Sequence, residues 1–169
     1  MKKQLFILGL FSAFALTACS STTGESSLKP SDTSYNGYSL KSKTEIADTE
    51  LKAAFENALS SKLASYGYKT GDELSFVYDI KAFQRGNRFG RWWFGPLNGM
   101  NPDPKTNKNL ANAEIQVNVM TVKGKSLGSV NANSKLYAGF FGGDALNSIE
   151  NAAEEIATKI HESGILKAQ

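Results

Sequence analysis

Two stretches of the chain repeat apolar residues at helical spacing, and between them the repeat shortens to two. Over residues 47–66, Leu51, Phe55, Ala58, Leu59 and Leu63 fall on one stripe, the three-to-four spacing of an amphipathic helix. Asp48 or Thr49 is placed to cap its start, and Gly67 to end it. Over residues 144–163, Leu146, Ile149, Ala153, Ile156, Ala157 and Ile160 repeat the pattern, with Gly164 as the stop. From Leu74 to Phe83 the residues alternate instead. Leu74, Phe76, Tyr78, Ile80 and Ala82 face one way; Ser75, Val77, Asp79, Lys81 and Phe83 face the other. Residues 113–122 alternate again, Ala113, Ile115, Val117 and Val119 against Glu114, Gln116 and Asn118. Lys123-Gly124-Lys125-Ser126 is a turn, and a weaker strand through Val130, Ala132, Ser134 and Leu136 completes a hairpin. A short strand over 35–41 precedes the first helix. The predicted order is β-α-β-β-β-α. It is an α+β fold, a mostly antiparallel sheet with two amphipathic helices packed on one face.

The N-terminus follows neither period. Lys2 and Lys3 precede an apolar run from Leu5 to Leu16, which reads as an export signal over residues 1–18. The run is too short for a bilayer span, which takes about 20 residues. Leu16-Thr17-Ala18-Cys19 resembles the lipobox of bacterial lipoproteins. That resemblance implies cleavage before Cys19, acylation of Cys19 on its sulfur and then on its new amine, and a palmitate-type lipid anchor in the membrane. Several acyl chains hold a protein firmly where one binds only marginally. Ser20 rather than aspartate follows the cysteine, which by the same resemblance favours an outer-membrane address facing the periplasm. Residues 19–34, rich in Ser, Thr, Gly and Pro, read as a lipidated flexible tether. Residues 35–169 then form a single domain.

Processing narrows the chemistry. Loss of Lys2 and Lys3 lowers the formal net charge from +3 to +1, and nucleic acid binding loses the basic footprint it needs. With Cys19 acylated, no thiol remains for a disulfide or a metal site, and His161 is the one histidine. No metal or cofactor is expected. Gly124-Lys125-Ser126-Leu127-Gly128 matches the nucleophile-elbow pattern, and Asp144 and His161 follow in the order serine, acid, histidine. The elbow, however, needs a strand-to-helix turn, and Ser126 reads as part of a hairpin. Gly-Lys-Ser also lacks the preceding glycine of a phosphate loop, since Val119 stands there. The glycines of 139–143 lead into the last helix, but Asp144 already holds the position an anion would take. No catalytic residue is assigned, and the chain reads as a non-enzyme.

One long segment, Gly86 to Asn109, belongs to no predicted element. Loops of this length inside a domain are functional or disordered as a rule, and the clustered Phe89, Trp92, Trp93 and Phe94 argue against disorder. Two readings are open. The rings fold back over the uncovered sheet face and shield Val77, Phe83 and Met120. Alternatively, Arg85, Arg88, Phe89, Arg91, Trp92, Trp93 and Phe94 form an exposed aromatic-arginine contact for a protein, a glycan or the membrane surface.

Gly71-Asp72, Arg85-Gly86, Arg91, Gly124-Lys125, Leu127-Gly128, the Gly139 to Asp144 turn and the helix segment Ala152 to Ala157 recur in one order. This pattern resembles a family of secreted bacterial lipoproteins with a domain of unknown function, over roughly residues 51–160. The resemblance implies an envelope location and a compact α/β domain, and carries no activity with it. Members have smaller apolar residues in the central loop, so Trp92-Trp93 is a departure. Together these readings describe a membrane-anchored envelope lipoprotein serving as an interaction or assembly module, with an envelope protein as partner. The alternative is a binder of a small ligand, lipid or glycan beneath the aromatic loop.

Overall fold

The computed structural model describes residues 19–29 and 33–168, so the export segment read over 1–18 lies outside the described residues. The elements are β1 (Ser20–Ser26), β2 (Tyr38–Ser42), α1 (Thr49–Ser65), β3 (Leu74–Gln84), α2 (Arg88–Phe94), β4 (Ala111–Thr121), β5 (Ser126–Leu136) and α3 (Leu146–Glu162). The strands make one sheet in the order β1-β5-β4-β3-β2. β2 runs parallel to β3 and every other pair is antiparallel. The α+β architecture expected from the periodicity is present, with a fifth strand and a short third helix added.

Both helical stripes become the inner faces of α1 and α3. Leu51, Phe55, Leu59 and Leu63 are buried on α1, and Ile149, Ala153, Ile156, Ala157 and Ile160 on α3. They form one cluster with Leu74, Phe76 and Tyr78 of β3 and Ile115, Val117 and Val119 of β4. Each such leucine, isoleucine, valine or phenylalanine contributes roughly 1.5–3 kcal/mol when removed from water. Asp48 caps α1, its Oδ1 accepting from the Leu51 N–H at 3.0 Å, and Gly67 turns the chain away at φ 83°. The other sheet face is polar, carrying Asp79, Gln116, Asn118, Asn131 and Asn133.

Two expectations are corrected. Ser20–Ser26, read as part of a tether, form edge strand β1 paired antiparallel with β5. Thr22 and Ser134 share a hydroxyl hydrogen bond at 3.0 Å. Gly24 lets β1 lie under α3, since a Cβ there would meet Glu155 Cγ at 2.6 Å. The strand has no large inward side chain, which is why no alternation announces it. The second correction concerns β3. A β-bulge between Ile80 and Ala82 shifts the register against β4 and reverses the alternation beyond it. Phe83 therefore sits opposite Ala113 on the core side, and Ala82 opposite Glu114 on the polar side. The bulge leaves Lys81 without a partner on β4, so the strict period of two ends there.

Register also sets what lies at each end of the sheet. Gln84 pairs with Asn112, Ala111 with Leu136, and Leu136 with Ser20. The end of β3, the start of β4, the end of β5 and the start of β1 thus meet at one end. The β4–β5 turn, with Gly124 at φ 81°, closes the opposite end.

Candidate functional site

The connection from β3 to β4 is ordered by polar contacts, and its apolar residues point away from them. Gly86 opens it at φ 63°, close enough to Leu110 that no Cβ fits. Asn87 caps α2, its Oδ1 accepting from the Gly90 N–H at 3.1 Å. Gly95, at φ 47°, ends α2 and leads into a 3₁₀ turn over Gly95–Met100, with Pro96 at its start. The inward side of α2 is Gly90 and Arg91, both buried. A side chain at Gly90 would collide with the Asn109 amide.

Arg91 is 1% exposed and is a cross-brace. Nε donates to Gly142 O at 2.6 Å, and Nη2 to Gly143 O at 3.1 Å. Nη1 donates to Arg85 O at 2.8 Å and Asn109 O at 2.9 Å. One guanidinium therefore ties three segments of chain to α2, using the fixed fork of donors that arginine offers. Burial pulls its pKa below the ordinary value, the charge of Arg88 adds to that, and Asp144 opposes it. Asn98 is a second brace. Nδ2 donates to Tyr137 O at 3.0 Å and to Gly90 O at 3.4 Å, and Oδ1 accepts from Asn109 Nδ2 at 3.1 Å. Asn107 Nδ2 in turn donates to Asn98 O and Asn101 O, each at 3.1 Å.

With the inward positions taken by glycine and arginine, the aromatic residues at i, i+3 and i+4 (Phe89, Trp92 and Trp93) share the outward face. Trp93 is 68% exposed and Trp92 47%. Phe94, Leu97, Met100 and Phe141 are exposed as well. The rings touch one another. Phe89 lies 5.6 Å from Trp92 between centroids, and Trp92 and Trp93 meet edge to face at 6.0 Å. The reading in which these rings cover the polar sheet face is therefore overturned. Phe83, one residue they were to shield, already lies on the core side by virtue of the bulge. Phe141 has φ 51°, outside the usual range for a side chain of its size. Its carbonyl accepts from Arg88 Nε at 3.1 Å. A shallow concavity of about 380 Å³ is lined by Arg88, Phe89, Trp92 and Phe141.

The structure sorts the sequence-derived residues into three groups. Arg88, Phe89, Trp92 and Trp93 come together on the surface, and Phe94 is exposed at the end of α2 without joining the ring cluster. Arg91, expected among them, is buried behind them. Arg85 turns toward α1, its Nη2 3.0 Å from Asp48 Oδ2 and 3.3 Å from Glu50 Oε2. Those carboxylates hold its charge more firmly than usual. Cys19 is exposed immediately before β1. Its carbonyl accepts from the Tyr137 N–H at 2.9 Å and the Ala138 N–H at 3.3 Å. The bracing residues Asn87, Asn98, Asn107 and Asn109 were missed, although asparagine recurring through one loop signals side chains that bond to backbone.

Ser126 starts β5 directly after the hairpin turn, not at a strand-to-helix elbow. His161 Nδ1 lies 2.7 Å from the Tyr68 hydroxyl, and its ring stacks on Tyr66 at 4.0 Å. Among the described residues no helix is long and apolar enough to cross a membrane.

No protein-family model matches the chain, and no curated protein matches it in sequence. Among solved structures, a PelC dodecamer from Paraburkholderia phytofirmans is similar at a TM-score of 0.53 and 8% identity, over 87% of this chain and 99% of that one. A substituted PelC dodecamer from the same organism gives a TM-score of 0.43 at 10% identity, over 81% and 98%. What this chain has in common with the first of these is its fold.

Proposed function

We propose that this protein is a lipoprotein of the bacterial cell envelope, anchored through acylated Cys19 in the outer membrane and facing the periplasm. It acts without catalysis, as an interaction or assembly module whose contact surface is the aromatic face of α2. This agrees with its likeness in glycine pattern to secreted lipoproteins. One observation carries the reading: a cluster of large apolar side chains stands in water on a platform braced from behind by buried Arg91 and Asn98. Exposed apolar patches of this kind mark interaction sites, and Trp and Arg dominate binding hot spots.

Two measurements test it. Metabolic labelling with an alkyne palmitate should mark the protein and be abolished by Cys19→Ala. A photo-reactive residue in place of Phe89, which packs against both tryptophans and leaves them intact, should crosslink in living cells to an envelope component. Absence of any crosslink would leave the patch without a contact and overturn the module reading. The concavity beside Arg88 favours a second reading, a small ligand, lipid or glycan held there. Tryptophan emission that stays flat on titration with soluble envelope glycans and short-chain lipids would count against it.

A further inference from the structure

The residue that carries the anchor and the aromatic face are joined by a short path of hydrogen bonds. Cys19 hands its carbonyl to the N–H groups of Tyr137 and Ala138. Tyr137 hands its own carbonyl to Asn98 Nδ2, and the same amide reaches Gly90 O inside α2. The strand register puts the start of β1 and both ends of the β3–β4 connection at one end of the sheet. β1 begins at Ser20, so no slack separates the anchor from the folded domain. Acyl chains leaving Cys19 enter the bilayer where Cys19 sits, and whatever adjoins Cys19 is drawn to the membrane surface with it.

What adjoins it suits that surface. Tryptophan and other amphipathic rings favour the headgroup level of a bilayer. Arg88 emerges among the rings, a cation that anionic headgroups attract. A helix of seven residues would hold a membrane poorly alone, but an anchor already in the bilayer presents it there at high effective concentration.

We propose that Phe89, Trp92, Trp93 and Phe141 sit in the headgroup region of the same leaflet that holds the Cys19 acyl chains. Anchor and patch then form a two-point attachment that fixes the orientation of the domain. This rests on the reading of Cys19 as the lipid anchor, and it names the bilayer as the contact of the aromatic face.

Trp92 and Trp93 are the two tryptophans of the chain, so its indole emission reports on the patch alone. The acylated protein is reconstituted into phosphatidylethanolamine–phosphatidylglycerol vesicles, with and without lipids brominated near the headgroup end of the acyl chain. The expected result is that the protein floats with the vesicles, loses most of its tryptophan emission to the bromines, and is shielded from iodide in the water. Flotation with unquenched, iodide-accessible emission would overturn the docking and leave the anchor standing. Shielding from iodide without bromine quenching would place the patch against a second copy of the chain and overturn the docking as well. Failure to float would overturn the anchor and the docking together.

Discussion

At the scale of single residues, the two arginines that flank the aromatic face do opposite things, and substitution separates them. Arg91 has no carboxylate within hydrogen-bonding distance among its partners; it serves four carbonyl oxygens from three segments. Leucine in its place would remove this donor from all four acceptors, of which those of Gly142 and Gly143 are buried, and each orphaned buried group costs about 1–3 kcal/mol. Relaxation and water entry recover part of that. Arg91→Leu is therefore expected to destabilise the protein by roughly 3 kcal/mol, near the upper range of single substitutions. Urea denaturation followed by far-ultraviolet dichroism checks this, and limited proteolysis should find new cleavage between residues 86 and 109. Arg85 is paired with Asp48 and Glu50 in solvent, where ion pairs contribute little and are screened by salt. Arg85→Ala should leave the urea midpoint almost unchanged. A larger effect for Arg85 than for Arg91 would contradict the brace.

At the scale of elements, the core was legible because its elements bury one face each. The stripes of α1 and α3 and the alternation of β4 state the buried face directly, and the structure follows them. What escaped the pattern had a physical reason to do so. β1 has small polar residues on both faces because Gly24 lies beneath Glu155 and Thr22 bonds to Ser134, so its sequence looks like a linker. Lys81 breaks β3 into two half-strands of opposite phase. α2 inverts the usual rule, with glycine and arginine inside and rings outside, and a pattern reader that sends aromatics inward misplaces it.

The cap of α1 offers a test at this scale. The Asp48 carboxyl is held below its ordinary value, chiefly by the Leu51 N–H and then by Arg85. A group whose pKa is lower folded than unfolded contributes stability above its unfolded value and loses it as pH falls through the folded one. The amide introduced by Asp48→Asn would still cap the helix but would not titrate. The thermal midpoint of the parent protein should exceed that of Asp48→Asn at neutral pH, with the gap closing as pH falls below about 4. A gap independent of pH would exclude the carboxylate as its source.

At the scale of the whole molecule, the sheet separates two ends of different character. One end gathers Cys19, the aromatic face and the turn at Phe141; the other is the β4–β5 turn with Lys123 and Lys125. β4 has 11 residues, and at about 3.3 Å per residue it separates those ends by roughly 35 Å. Under the proposed docking, two attachment points at one end would hold the strands at a fixed angle to the bilayer, whereas a single lipidated residue would let the domain swivel. With that docking, the polar sheet face and the edge strands β1 and β2 would keep one orientation relative to the bilayer. A donor dye on Ser126, exposed at the start of β5, and an acceptor in the headgroup layer measure this. The parent protein should give a narrow distance distribution, with the dye far from the membrane. Trp92→Ala combined with Trp93→Ala should keep the protein on the vesicles but broaden the distribution toward shorter distances. Identical broad distributions for the two proteins would mean that Cys19 alone sets the attachment and that the aromatic face meets something other than lipid.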